Sequence, residues 1–223
     1  MRILAVDVGG SHVKVLLSEG GGERRRIDSG PDLTPQRTVD GVKEMTGDWT
    51  YDVVSLGIPT IVRDGQIVAE PVNLGTGWVG FDFERALGKP TRVLNDAAMQ
   101  ALGSYEGGKM LFLGLGTGLG SAIVVPGAVL PMELGHLPFR KSTFEDYVGE
   151  RGREQLGKRK WHAAVEETIE RLSAALQPDY VVLGGGNAKR LDEVPEGARL
   201  GANENAFVGA FRLWEEDDSL ESA

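Results

Sequence analysis

The sequence predicts an α/β protein in which one strand–turn–strand plan is used twice, giving two lobes with a central cleft between their glycine turns. Three features carry that prediction. Arg2-Ile3-Leu4-Ala5-Val6-Asp7-Val8-Gly9-Gly10-Ser11 is an apolar run ending in a glycine turn. Lys109-Met110-Leu111-Phe112-Leu113-Gly114-Leu115-Gly116-Thr117-Gly118 repeats it at a constant offset of 107 residues, Asp7 falling on Gly114. Each turn leads into a second apolar run, at residues 13–17 and 121–125, as in a hairpin where glycine supplies positive φ or lets another group approach the backbone. Elsewhere apolar strands alternate with helical patterns, the mark of the α/β class.

Taken in order, residues 35–45 read as a helix and 51–58 as a strand. Residues 60–69 form a hairpin turning at Asp64-Gly65. A short helix covers 81–87, a strand 91–95, and a helix follows at once over 96–105. A long helix spans 161–176, where Val165, Ile169, Leu172 and Leu176 recur at spacings of four, three and four, and Pro178 stops it. Residues 180–183 make a strand ending in Gly184-Gly185-Gly186-Asn187. A last helix covers 205–215, and 216–223 is an acidic, frayed tail. The division expected is a first lobe over 1–98, completed by the helix at 205–215, and a second lobe over 99–204.

Of the 223 residues, 41% are hydrophobic and 26% charged, the balance of a globular chain long enough to bury roughly 70% of its unfolded surface. The 32 glycines are about twice the usual ~7% share and sit beside apolar strands, which excludes low-complexity disorder. No apolar run approaches the ~18 residues of a membrane span, and the chain opens into a strand rather than a signal peptide. No membrane partner is therefore expected, and a cytoplasmic location is. Cysteine is absent, which rules out disulfides and thiolate zinc sites. A net charge of −9 argues against a nucleic-acid surface.

Five motifs can carry chemistry. In Asp7-Val8-Gly9-Gly10-Ser11, bare backbone N–H groups can ring a phosphate, and Asp7 can hold Mg²⁺ directly or through water; the plain alternative is a hairpin with a solvated Asp. In Gly114-Leu115-Gly116-Thr117-Gly118-Leu119-Gly120, alternate glycines weaken a strand, a cost that close approach of a ligand explains. Gly184-Gly185-Gly186-Asn187 can lay a flat base against the backbone, or be a strand-to-helix turn. Asp96, in Asn95-Asp96, is either the base for a substrate hydroxyl or the N-cap of its helix. Glu133, His136 and Glu145 suit several sugar hydroxyls, because each carboxylate accepts two hydrogen bonds; a metal site and a plain polar surface are the rivals. The basic clusters Arg24-Arg25-Arg26, Arg140-Lys141 and Lys158-Arg159-Lys160 are solvated faces or hold a polyanion, the last opposing its helix dipole.

Asp7-Val8-Gly9-Gly10-Ser11, Asn95-Asp96-Ala97, Gly116-Thr117-Gly118-Leu119-Gly120, Glu133-Leu134-Gly135-His136 and Gly184-Gly185-Gly186-Asn187 stand in the order of the ROK sugar kinases, which the chain resembles from Ile3 to about Trp214. The resemblance implies the duplicated actin-like ATPase (ribonuclease H-like) fold. It implies transfer of a phosphoryl group from ATP, polyphosphate or both to the 6-hydroxyl of glucose or a close hexose. Asp96 would be the general base and Asn95 a sugar contact. Glu133, His136 and Glu145 would hold the ring hydroxyls. Gly9, Gly10, Ser11, Gly116, Thr117 and Gly118 would cradle the donor, Gly185 and Gly186 would line its base, and Asp7 would coordinate Mg²⁺. A homodimer is also implied.

Departures accompany the resemblance. The zinc-binding cysteines of many relatives are missing, so no zinc is expected and His136 keeps only a sugar role. Met132 replaces a Gly before the Glu, and Thr60 replaces the second Gly of a Gly-x-Pro-Gly motif at Gly57-Ile58-Pro59. No helix-turn-helix segment precedes Asp7, which disfavours the repressor branch. Gly118-Leu119-Gly120-Ser121-Ala122, Glu133-Leu134-Gly135-His136-Leu137 and Lys14 are similar to the polyphosphate glucokinase branch. The alternative is a sugar-binding regulatory protein of the same fold that has lost catalysis; retention of Asp7, Asp96 and both turns speaks against it.

Overall fold

A computed structural model describes residues 1–19, 23–202 and 204–215. Among the described residues the chain separates into two compact units, Met1–Gly103 with residues 206–215, and Ser104–Asn205. Each unit is built on a five-stranded sheet.

The first unit contains strands β1 (Ile3–Val8), β2 (His12–Leu17) and β3 (Arg25–Asp28), helix α1 (Pro35–Met45), and strand β4 (Val53–Ile58). The small hairpin β5 (Val62–Arg63) and β6 (Gln66–Ile67), helix α2 (Phe83–Leu87), strand β7 (Thr91–Asn95) and helix α3 (Asp96–Ser104) follow. The sheet order is β3-β2-β1-β4-β7. β1 pairs antiparallel with β2 and parallel with β4, which runs parallel to β7. Side-chain alternation divides the core. Leu4, Val6, Val54, Leu56 and Ile58 pack with Val39 and Val42 of α1 and Leu87 of α2. Ala5 packs on the other face with Met99 of α3. Asp7 and Gly57 continue that second face by the period-two rule. Thr34 accepts from Arg37 N to cap α1, with Pro35 at its first position.

The second unit repeats the plan with β8 (Met110–Leu115), β9 (Leu119–Val125) and β10 (Ala128–Met132). Then come the hairpin β11 (Pro138–Phe139) and β12 (Ser142–Thr143), helices α4 (Phe144–Val148), α5 (Glu150–Leu156) and α6 (Lys158–Leu176), and strands β13 (Tyr180–Gly184) and β14 (Ala198–Leu200). Its order, β10-β9-β8-β13-β14, with antiparallel pairs first and parallel pairs last, matches the first sheet strand for strand. Leu111, Leu113, Leu115, Val181 and Leu183 pack on Trp161, Val165, Ile169 and Leu172 of α6, the stripe read from the sequence. Helix α7 (Asn205–Arg212) sends Ala206, Phe207 and Ala210 into the first unit beside Ala5 and Met99.

Several boundaries differ from expectation. α6 opens at Lys158 because its basic first turn is helical, and α7 stops at Arg212. α2 starts at Phe83 because Asp82 caps it, accepting from Arg85 N at 2.9 Å. Arg25 and Arg26 lie in strand β3, and Arg25 forks onto Asp48. The expected tail at 216–223 lies outside the described residues. Among the described residues no helix is long and apolar enough to cross a membrane.

Candidate active site

In the first unit, the turn between β1 and β2 is closed by Gly9 N–H donating to His12 O at 2.9 Å, and Ser29 N–H donates to Ser11 O at 3.0 Å. Asp7, next to last in β1, stands opposite Lys14 in register, and the Lys14 ammonium lies 3.4 Å from its carboxylate. The Asp7 side chain is only 17% exposed, so Lys14 offsets part of the cost of keeping a charge there. Register also places Asp7 beside Gly57, and Gly57 beside Leu94. Asp7 and the Asn95-Asp96 pair therefore sit toward the carboxyl ends of β1 and β7, the two parallel strands that flank β4, where open α/β sheets bind ligands. A Cβ on Gly57 would collide with the end of Met99 and stand 3.6 Å from the Asp96 Cα. Glycine there lets α3 lie close on β4. A Cβ on Gly10 would come within 4.0 Å of Asn73, a neighbour the motifs do not single out.

The capping assignment changes. Asn95 Oδ1 accepts from Ala98 N at 3.1 Å, so Asn95, not Asp96, caps α3. Its Nδ2 donates to Thr60 O at 3.0 Å. Asp96 lies inside the first turn, its Oδ1 accepting from Ala97 N at 2.8 Å. Asn95 still has one N–H and one lone pair to offer.

In the second unit, Glu133, His136 and Glu145 converge. His136 Nε2 is 3.5 Å from Glu145 Oε1, and its Nδ1 is 3.9 Å from Glu133 Oε2. A short 3-10 turn at Leu134–His136 and the hairpin β11–β12 bring them together, and Thr143 caps α4 two residues before Glu145. The group is open, the His136 side chain being 63% exposed. Burial raises the Glu133 carboxyl above its ordinary value, Glu145 pushes the same way, and His136 opposes. The glycine turn is built directly against this group. A Cβ on Gly118 would lie 2.5 Å from Glu145 Oε2, and one on Gly135 would lie 2.8 Å from Leu119 O.

The carbonyl side of that turn is occupied. Glu150 N–H donates to Gly116 O at 2.9 Å and reaches Thr117 O at 3.2 Å. Asn187 donates from its backbone to Leu115 O at 2.9 Å and from its side chain to Gly116 O at 3.1 Å. Gly185 has φ 79°, and a Cβ there would run into the Leu115 carbonyl, whereas Gly186 is open. Glu150 had no signal in the sequence, since its contact to the turn is made by backbone.

Among the described residues, no cluster of three or more His, Asp or Glu has the arrangement of a metal cage. Lys158 is engaged by Asp192 at 2.5 Å and Arg140 by Glu167, while Arg159 and Lys160 stand exposed. A surface recess of about 710 Å³, lined by Gln66, Phe81, Asp82, Arg85 and Lys89, holds none of the motif residues. Its size does not locate the chemistry.

Comparison with known proteins follows this geometry. A sequence model described as the ROK family matches residues 3–154. A polyphosphate glucokinase of Mycobacterium tuberculosis is 26% identical over 209 residues, covering 84% of this chain and 78% of its own length. The crystal structure of an inorganic polyphosphate/ATP-glucomannokinase from Arthrobacter sp. strain KM superposes with a TM-score of 0.79 at 24% identity, covering 94% of this chain and 96% of that one. A ROK family glucokinase from Streptomyces griseus, solved with glucose and AMPPNP, gives a TM-score of 0.72 at 17% identity, covering 96% and 99%.

Proposed function

The chain belongs to the ROK family, and from that premise we propose that it is a hexose kinase acting on the 6-hydroxyl of glucose or a close hexose, with ATP, polyphosphate or both as donor. One observation carries the reading: Glu133, His136 and Glu145 gather against the Gly118 turn. A hydroxyl-binding cluster and an amide-rich turn are thereby built as one piece, which suits a sugar held beside a phosphate. The names of the Mycobacterium and Arthrobacter proteins support the class of substrate and donor.

Glu133 and Glu145 accept ring hydroxyls, and His136 fixes the Glu145 carboxylate. Asn95 adds a contact from its remaining N–H. Asp96 orients the acceptor hydroxyl and takes its proton late in the transfer. The amides of Gly9, Gly10, Ser11, Gly116, Thr117 and Gly118 receive the donor oxygens, and Gly185 and Gly186 border a nucleotide base. Asp7 fits Mg²⁺, an ion usually held by one or two carboxylates together with phosphates and water; when bound, the ion neutralises donor charge.

The test is a matrix of hexoses against ATP and polyphosphate, run on the parent protein and on Asp96→Asn. The parent should phosphorylate glucose or a close hexose with at least one donor. Asp96→Asn should keep sugar affinity within a few-fold and lose turnover by a factor on the order of 10³. Sugar binding without turnover by the parent would replace this reading with a regulatory one, and undiminished turnover by Asp96→Asn would remove the base.

A further inference from the structure

The peptide planes of the second phosphate turn are set by groups behind it. In a trans peptide the carbonyl of one residue and the N–H of the next point in opposite directions. Gly116 O is held by Glu150 N–H and by Asn187 Nδ2, and Thr117 O faces the same Glu150 N–H. The N–H groups of Thr117 and Gly118 are thereby turned to the opposite side. Among the described residues neither has an acceptor. Two adjacent free amides at a glycine turn are an anion nest.

Asn187 is the side chain in this arrangement that is specific to the sequence. It is 5% exposed. Its amide reaches Gly116 O at 3.1 Å and also favours the ionised form of the Glu150 carboxylate, which Arg153 holds at 3.1 Å. Together Arg153 and Asn187 keep that carboxyl down at about 2. The conformation of Gly185 serves the same contact, since any side chain there would push the Gly184–Asn187 turn off the Leu115 carbonyl.

We infer that Asn187 is a positioning residue for the phosphoryl donor, its amide and Glu150 holding the Gly116 and Thr117 carbonyls so that the Thr117 and Gly118 amides are aimed before the donor arrives. The inference rests on the reading of Gly116, Thr117 and Gly118 as a donor turn and deepens it. It also gives the Gly184–Asn187 turn a second task, as a brace for the phosphate turn beside a border for the base.

The decisive substitution is Asn187→Asp, which keeps the shape and removes the N–H donors. A carboxylate then faces both Gly116 O and Glu150. The donor KM should rise on the order of 10-fold or more, the net worth of a hydrogen bond to a charged or buried partner, and kcat should fall far less. Glucose affinity measured without donor should stay within two-fold or so of the parent. Adding Glu150→Gln to the same chain should recover much of the donor KM, because a carboxamide at 150 can donate to the new carboxylate while the backbone N–H remains. Asn187→Ala, which introduces no charge, should show the same donor-selective loss more mildly. Calorimetric titration with tripolyphosphate should follow the donor KM.

An unchanged donor KM and tripolyphosphate affinity would overturn the inference. So would equal losses of sugar and donor affinity in both variants, or the absence of recovery with Glu150→Gln. If the parent phosphorylated no hexose, the kinase reading would fail while the tripolyphosphate titration still judged the role of Asn187.

Discussion

Replacing Gly118 by alanine places a methyl group between the phosphate turn and the sugar cluster. The added Cβ would stand 2.5 Å from Glu145 Oε2, whereas ordinary contact begins at 3.4 Å, so the carboxylate must retreat by about 0.9 Å. The remaining contacts, 3.6 Å to Cδ and 3.8 Å to Cβ of Glu145, are already ordinary. The displacement therefore falls on the end of a flexible side chain and leaves the backbone in place, with a stability change expected below ~1 kcal/mol. Function is less tolerant, since a misplacement of ~1 Å in a positioned group costs on the order of 10²-fold. Glucose affinity by calorimetry and kcat/KM by a coupled assay should both fall toward that figure, while tripolyphosphate affinity changes little. A double-mutant cycle with Glu145→Ala isolates the cause. Once Glu145 is gone, Gly118→Ala should add almost nothing, because residues acting through one contact are not additive. Retained glucose affinity in Gly118→Ala, or full additivity with Glu145→Ala, would refute the argument.

Glu133 predicts opposite responses of binding and stability to pH. Its carboxyl is raised by burial, and its ionised form is the one that accepts sugar hydroxyls, so sugar affinity should decline as pH falls through the raised value. For folding the sign reverses. The folded chain holds this proton more tightly than the unfolded chain, whose Glu titrates near ~4.3, so this group's contribution to stability falls as pH rises through that window and levels off above it. Urea titrations across that range should show the slope in the parent and its loss in Glu133→Gln, and matching slopes would contradict the assignment. Gly209 marks the seat of α7 on α3, where a Cβ would strike the Met99 carbonyl and lie 2.8 Å from Gly103 N. Gly209→Ala should destabilise the protein by ~1–3 kcal/mol through overpacking, read by chemical denaturation; an unchanged midpoint would mean the helices are not in close contact.

The duplicated plan is legible because it is carried by local pattern. β1 and β8 are apolar runs, interrupted in β1 only by Asp7, each followed within a few residues by glycine and a second apolar run, and both pairings form as adjacent antiparallel strands. The stripe of α6 is equally local, Val165, Ile169 and Leu172 all facing the sheet. Some of the elements that escape have little apolar content. β3 is Arg25-Arg26-Ile27-Asp28, an edge strand whose charges read as a basic cluster until Asp48 and the pairing with β2 are seen. β11 and β12 are two residues each, too short for any period to show. Around them Phe139 stacks on Phe144 at 4.6 Å, and Arg140 reaches Glu167 on α6.

Within the candidate site, the limit lies in what a side-chain alphabet can express. Asn95 and Asp96 are both good capping residues, and only the hydrogen bond from Ala98 N distinguishes them; the distinction matters because it places Asp96 inside the first turn of α3. Glu150 is the harder case. Its two contacts to the glycine turn come from its backbone N–H, a group that every residue but proline carries, so no choice of amino acid at 150 could signal them. Asn187 was visible as the end of a glycine-rich motif, yet its side chain is directed to Gly116 O. Glycine turns announce that something approaches the backbone without saying on which side. At Gly118 it is Glu145, at Gly185 it is the Leu115 carbonyl, and at Gly116 and Gly186 the space is open. The same residue type thus records packing at one position and leaves room for a ligand at the next.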